Sequence, residues 1–361
     1  MKTNRILTLL CSALLAAPLT SAADAPRKPN ILVIFTDDHG WADLGAQGVN
    51  DEIRTPHLDQ LAADGVRFTR GYVTAPQCVP SRAGLLTGQH QNRFGVDDNL
   101  KGPLPLDVLT LPERLKQAGY VTGMSGKWHL ELIKEEGSDR QRPSVDYMPH
   151  VHGFDEYFCG AMQRYHASHD LDGKPLANAP QEITDKRFRI VAQTEATLRF
   201  LERRAGNPGQ PWFFYLPWFA PHVPLESPEP WFSKTPAELP LQRRQAMAMI
   251  AAMDDGVAEI RAKLRAMGQE ENTLIFFIGD NGAPLRKGAW DGSINLPLIG
   301  KKACSPMAAC ACPTSPPGPA PCPRARSMSI RSARWMSVPR RWPLPACRMT
   351  RGWMAWICCL I

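Results

Sequence analysis

Ile31-Leu32-Val33-Ile34-Phe35-Thr36, running into Asp37-Asp38, is the stretch that decides the fold. An unbroken apolar, β-branched run of this length reads as a strand buried on both faces, as in parallel sheets. Working outward, Thr273–Ile278 (TLIFFI) repeats the pattern and ends in Gly279-Asp280-Asn281-Gly282. Tyr120–Met124, Trp212–Leu216 and the start at Val66–Phe68 read as further strands. Thr55–Asp64, Leu111–Ala118, Arg189–Arg204 and Leu241–Met267 read as helices, and Ser81–Leu86 as a helix start directly after Cys78. Thr55 is expected to be an N-cap, with Pro56 in the first turn and Gly65 as the stop. Strands alternating with helices predict an α/β fold, a mixed, mostly parallel sheet between helices. Ligands bind beyond the carboxyl ends of such strands, where Asp37-Asp38 and Asp280-Asn281 are expected.

The ends of the chain differ from its body. Residues 1–22 read as a secretory signal: Lys2 and Arg5, an apolar run from Ile6 to Leu19, then Thr20-Ser21-Ala22 for cleavage. That run is short for a membrane anchor. The expectation is a periplasmic or secreted protein with no integral membrane segment after cleavage. The net charge of +7 comes from residues 303–361, which hold eight Arg and no acid, so residues 1–302 carry −1. The basic balance is therefore no argument for nucleic acid. Of ten Cys, seven lie between Cys304 and Cys359, and Cys11 lies in the signal. Only Cys78 and Cys159 remain in the body, and Cys159 reads as a buried thiol.

Asp37, Asp38, Asp280 and Asn281 supply only oxygen donors. Hard cations such as Ca²⁺ take this set, while zinc prefers His or Cys. Either pair alone fits ordinary turn chemistry after a strand; two pairs at two strand ends favour a metal. Cys78-Val79-Pro80-Ser81-Arg82 places a cysteine at a helix start with an Arg four residues on. Helix N-termini and Arg both favour anions.

The pattern C-x-P-S-R-x-x-x-L-T-G, complete from Cys78 to Gly88, resembles the formylglycine-dependent sulfatases of the alkaline phosphatase superfamily, of the arylsulfatase and N-acetylgalactosamine-6-sulfatase kind. Thr55-Pro56-His57-Leu58-Asp59, Gly126-Lys127-Trp128-His129, Ala220-Pro221-His222 and Gly279-Asp280-Asn281-Gly282 support the resemblance, which runs from about Lys28 to Lys302. It implies that Cys78 is oxidised to formylglycine by a maturation enzyme and hydrates to a gem-diol. It implies Ca²⁺ held by Asp37, Asp38, Asp280, Asn281 and the diol on residue 78, with Arg82 stabilising the charged diol. Lys127, His129, His222 and Lys302 would surround the sulfate. His222 would protonate the leaving alkoxide, and His129 would take the proton from the second hydroxyl. The expected substrate is a sulfated carbohydrate or aryl sulfate. Trp41, Trp128 and His39 read as packing or rim, and His166 and His169 as lining of the substrate mouth.

After Lys302 no helical or strand period survives. The family would place a segment resembling G-x-x-x-[ED]-G-G-x-R-V-P here. Read one base out of register, Ala303–Pro313 (ACSPMAACACP) can encode MLTDGGMRVPY. A single-base deletion at codon 303 is therefore expected, making residues 303–361 a frameshifted, non-native tail and leaving residues 28–302 as the N-terminal part of the catalytic domain. The C-terminal antiparallel subdomain would then be missing and this chain impaired. Two rivals stand beside the sulfatase reading: a phosphate or phosphonate monoester hydrolase of the same superfamily, and an inactive pseudoenzyme fragment.

Overall fold

The computed structural model describes residues 28–68, 71–138, 140–284, 291–298 and 302. The expected signal and the tail from 303 onward lie outside the described residues. The opening stretch forms β1 (Asn30–Thr36), buried along its whole length. Its side chains divide by parity, as a pleated strand requires. Ile31, Val33 and Phe35 join one apolar cluster, while Leu32 and Ile34 join another on the opposite face. Each such side chain contributes about 1.5–3 kcal/mol on burial.

The other strands of the main sheet are β2 (Val121–Gly126), β5 (Glu156–Cys159), β6 (Arg164–Ala167), β7 (Gln181–Thr184), β8 (Trp212–Leu216) and β9 (Thr273–Gly279). They lie in the order β7-β6-β5-β2-β8-β1-β9. β5, β2, β8, β1 and β9 are mutually parallel, and β6 and β7 complete one edge antiparallel. A separate hairpin pairs β3 (Leu132–Lys134) with β4 (Gln141–Pro143).

Helices cover both faces. α2 (Cys78–Thr87) and α3 (Leu111–Gln117) send Val79, Ala83, Leu86, Leu111 and Leu115 into the first cluster. α1 (Pro56–Asp64), α4 (Arg189–Ala205) and α5 (Leu241–Ala266) supply Leu58, Phe200, Met253 and Ile260 to the second. This is the mixed, mostly parallel sheet between helices that the sequence predicts.

Three local expectations need correction. Among the described residues Val66–Phe68 forms no strand and contributes a single bridge residue, Arg67. Thr55 is the N-cap residue of α1, with Pro56 in the first turn and Gly65 at the end as expected, but its side chain makes no capping bond; its Oγ1 donates to Asp59 and accepts from the Gly45 N–H. The Asp254 carboxylate on α5 takes over, accepting the His57 and Leu58 N–H groups at 3.2 and 2.7 Å. Finally, α2 begins at Cys78 itself rather than at Ser81, so the cysteine belongs to the first turn. The antiparallel edge and the β3–β4 hairpin were not legible in the sequence, because their strands are only three or four residues long.

Candidate active site

The carboxyl ends of β1, β2, β8 and β9 converge on one cluster. β1 delivers Asp37, whose backbone N–H donates to the Ala220 carbonyl beyond β8 at 3.0 Å. β9 delivers Asp280, whose N–H donates to the Thr36 carbonyl at 2.9 Å. The two acidic loops are further stitched by the Asp38 N–H donating to Asp280 Oδ1 at 3.1 Å. Lys127 follows β2, and its N–H donates to the Pro217 carbonyl at 2.8 Å. Gly126 makes that approach possible: a Cβ there would lie 2.2 Å from the same oxygen. Asp38 and His129 both adopt φ of +61°, the sparsely populated left-handed region for a side-chain-bearing residue, a form of strain that collects at functional sites.

Asp37, Asp38, Cys78, Arg82, Asp280 and Asn281 are all buried. Cys78 Sγ lies 3.4 Å from Asp37 Oδ1. Arg82 Nη2 stands 3.2 Å from both Asp37 and Asp280 carboxylates, and its Nη1 donates to the Lys127 carbonyl. Lys127 Nζ reaches Asp37 Oδ2 at 2.6 Å. Lys302 Nζ reaches Asp38 at 2.8 Å. His222 Nε2 lies 3.5 Å from Asp38 Oδ2. Its Nδ1 donates to the Val223 carbonyl at 2.6 Å, which settles the tautomer and turns Nε2 toward the cluster. The donor atoms of Asp37, Asp38, Cys78 and His222 fall within 4.8 Å of one another.

Charge explains the ionisation of each group. Burial works to raise the Asp37 pKa, but Lys127, His222, Arg82 and Lys302 outweigh it and hold the carboxyl well below its ordinary range. Asp280 moves the other way: burial and the Asp37 charge raise it. The Cys78 thiol is pushed far up by burial and by Asp37, so it is not a thiolate. His129 is held neutral by burial and by the nearby Lys127 and Arg82 charges. Burial likewise lowers His222, against the pull of Asp37.

The cluster suits a hard cation. Asn281 Nδ2 donates to Asp38 Oδ1 at 2.7 Å and to the Gly282 carbonyl, yet its buried Oδ1 has no hydrogen-bond partner among the described residues. A buried carbonyl oxygen left over beside carboxylates costs free energy unless something positive meets it. The oxygen-rich donor set fits calcium or magnesium better than zinc.

Of the ten residues singled out for the site in the sequence, Asp37, Asp38, Lys127, His222, Asp280 and Asn281 follow these strands, Cys78 and Arg82 reach the cluster from α2, and Lys302 meets Asp38; His129 follows Lys127 and feels the Lys127 and Arg82 charges without a described bond to the cluster. His129 Nδ1 is buried without a hydrogen-bond partner among the described residues. Trp128 and His39 are buried, and Cys159 is a buried free thiol. His166 lies on β6 beside Cys159, and His169 bonds the neighbouring Ser168 hydroxyl; neither has a described bond to the cluster.

Sequence reasoning missed the second layer. Arg243 on α5 pairs with Asp43 at 2.8 Å and with Glu52 at 3.2 Å, and donates to the Gly292 carbonyl. Asp43 in turn accepts from the Ile294 N–H. This brace ties the loop after β1 to the segment around residues 291–295. Phe219 and Arg189 were missed as well. The available signal was Arg189 at the head of α4, where a cation opposes the helix dipole and so must be engaged elsewhere.

Comparison with known proteins adds the following. The family model described as Sulfatase matches residues 29–303. Mouse arylsulfatase J is 32% identical over 290 residues, covering 76% of this chain and 45% of the relative. Human N-acetylgalactosamine-6-sulfatase is 32% identical over 307 residues, covering 77% of this chain and 54% of the relative. The chain therefore spans about half the length of these curated relatives. The solved structure of Ps i-CgsB in complex with k-i-k-neocarrahexaose superposes with a TM-score of 0.66 at 27% identity, covering 79% of this chain and 64% of that one.

Proposed function

Because this chain belongs to the sulfatase family, we propose that it is the catalytic part of a calcium-dependent sulfuric ester hydrolase acting on a sulfated carbohydrate or aryl sulfate. The observation that carries the reading is Cys78 itself: a fully buried thiol, one helix turn from Arg82, held 3.4 Å from Asp37 among three side-chain cations. In that setting the thiol is a poor nucleophile; oxidation to the formylglycine aldehyde by a maturation enzyme, followed by addition of water, would give residue 78 a gem-diol with a hydroxyl able to attack sulfur. Asp37, Asp38, Asp280 and Asn281 would hold Ca²⁺, which offsets charge on the sulfuryl oxygens.

The chain's own groups do the rest. Three carboxylates, Asp37, Asp38 and Asp280, face three fixed cations, Arg82, Lys127 and Lys302. A divalent cation would tip this balance positive, matching an arriving sulfate monoester. Lys127 and Lys302 bind its non-bridging oxygens, an electrostatic effect of the kind that dominates many catalysed reactions. His222, with Nε2 facing the cluster and 19% of its side chain exposed, stands where the organic part of the ester would leave. The ester's negative charge favours the imidazolium, which protonates the departing alkoxide. His129, held neutral, accepts a proton on the other side of the cycle. The net reaction is R–O–SO₃⁻ plus water to R–OH, sulfate and a proton.

Export to the periplasm or beyond agrees with the basic, apolar start of the sequence. No helix among the described residues is long and apolar enough to cross a membrane. The deciding experiment expresses the chain with a formylglycine-generating enzyme and compares hydrolysis of 4-nitrocatechol sulfate with that of the matching phosphate and phosphonate esters. Faster turnover of the sulfate is expected; preference for phosphate or phosphonate would overturn the reading, and no turnover of any ester would favour a pseudoenzyme.

A further inference from the structure

Arg189 has no place in the chemistry above, yet it is one of the largest fully buried side chains, 1% exposed. Its Nε pairs with Glu226 Oε2 at 2.9 Å. Its Nη2 donates to the Pro224 carbonyl. Its guanidinium lies 4.7 Å from the centre of the Phe219 ring. One side chain therefore holds both ends of the segment 219–226, and His222 sits in the middle of that segment.

Phe219 is the second part of the arrangement. Its backbone N–H donates to Gln193 Oε1 at 3.3 Å, one turn along α4 from Arg189. Its ring lies 4.7 Å from the His222 ring at an interplanar angle of 31°. Lys127 Nζ lies 4.8 Å from the ring centre while also reaching Asp37. A single aromatic ring thus meets Lys127, Arg189 and His222. Cations are attracted to the π face of such a ring, and the attraction grows where water is excluded.

We infer that Arg189, acting through Phe219 and the Pro224–Glu226 anchor, is a positioning residue that sets where His222 and Lys127 stand over the ester. The inference rests on the sulfatase reading. His222 keeps 19% of its side chain exposed and sits between the two anchored ends of its loop, so the loop sets its position. Arg is required because one planar guanidinium serves a carboxylate, a carbonyl and a ring together, which an ammonium does not.

The test uses the full chain, matured on Cys78 and supplied with calcium. Rates are measured on an alkyl sulfate, whose leaving oxygen needs a proton, and on 4-nitrocatechol sulfate, whose leaving oxygen needs one far less. Arg189→Lys is expected to lower the alkyl rate about tenfold more than the aryl rate, because a misplaced acid hurts the poorer leaving group. Phe219→Leu is expected to do the same and to weaken inhibition by inorganic sulfate several-fold. Phe219→Tyr keeps the π face and is expected to recover the alkyl-to-aryl ratio. A merely structural brace would lower both esters by one factor, so equal losses, or no loss, in the Arg189→Lys and Phe219→Leu chains overturn the inference. Should Arg189→Lys fail to fold, Phe219→Leu decides alone. If neither the unsubstituted chain nor its frame-restored form cleaves either ester or binds inorganic sulfate, the sulfatase reading itself has failed.

Discussion

The Cys78 thiol, 1% exposed, donates to the Asp37 carboxylate across 3.4 Å. Placing a thiol in a buried site against a negative charge suppresses the thiolate, so an unmodified cysteine here is chemically quiet. When the chain is made with a formylglycine-generating enzyme, mass spectrometry of the peptide containing residue 78 is expected to show a loss of roughly 18 Da. Cys78→Ala is expected to fold yet lose activity by about three orders of magnitude or more. Retained sulfatase activity in a preparation whose residue 78 is wholly unmodified would contradict the assignment.

Metal removal follows from the left-over Asn281 oxygen. Chelation with EGTA is expected to abolish ester hydrolysis and lower the melting temperature, with calcium restoring both. At a ligand concentration of 100 times Kd the stabilisation amounts to about 2.7 kcal/mol. Asn281→Ala is expected to raise the calcium concentration needed for half-activity. The measurement is a calcium titration followed by both activity and melting.

Arg82 is buried between Asp37 and Asp280. Removing one partner of such a cluster leaves uncompensated buried charge, a loss of about 3–5 kcal/mol. Arg82→Met is therefore expected to destabilise the metal-free protein strongly, and bound calcium to recover part of that loss. Urea unfolding with and without calcium measures it; unchanged midpoints would show that the pair contributes nothing.

Stability is expected to fall in mild acid because of two buried histidines rather than the carboxylates. Burial lowers His39 and His152 to about 4. Both are neutral when folded but take up protons near pH 6.5 when unfolded. Their contribution is fully present above about pH 6.5 and is lost progressively as pH falls toward 4, at most about 3 kcal/mol for each. His152, packed 5.6 Å from the Trp128 ring, is the cleaner probe. In His152→Gln the slope of melting temperature against pH in this window is expected to flatten; an unchanged slope would assign the acid sensitivity elsewhere.

The frameshift reading has its own check. Resequencing the gene across codon 303 is expected to reveal a missing base. Restoring the frame is expected to raise both yield and sulfatase activity by an order of magnitude or more, since a marginally stable domain is sensitive to lost core. Equal activity of the two forms would refute it.

The candidate site residues were legible because their chemistry is written in contiguous motifs: Asp37-Asp38, the eleven residues from Cys78 to Gly88, Lys127 with His129, and Asp280-Asn281. Long apolar runs such as Ile31–Thr36 likewise announced central strands, since a strand buried on both faces has no polar face to disguise it. The short edge strands announced nothing, because three or four residues carry no period.

What the sequence determined by itself was local: which residues form buried strands, which side chains can ligate or transfer protons, and on which side of a strand they fall. Only the tertiary structure decided which of them meet and with what charge. The pKa of Asp37 falls while that of Asp280 rises, although both are aspartates at strand ends: burial pushes both up, but Lys127, His222, Arg82 and Lys302 outweigh it at the first, while at the second the Asp37 charge adds to it. Nor does any motif join Arg189 to Phe219 and Glu226. Coulombic and π contacts depend on distance in space, and the folded sheet alone sets those distances.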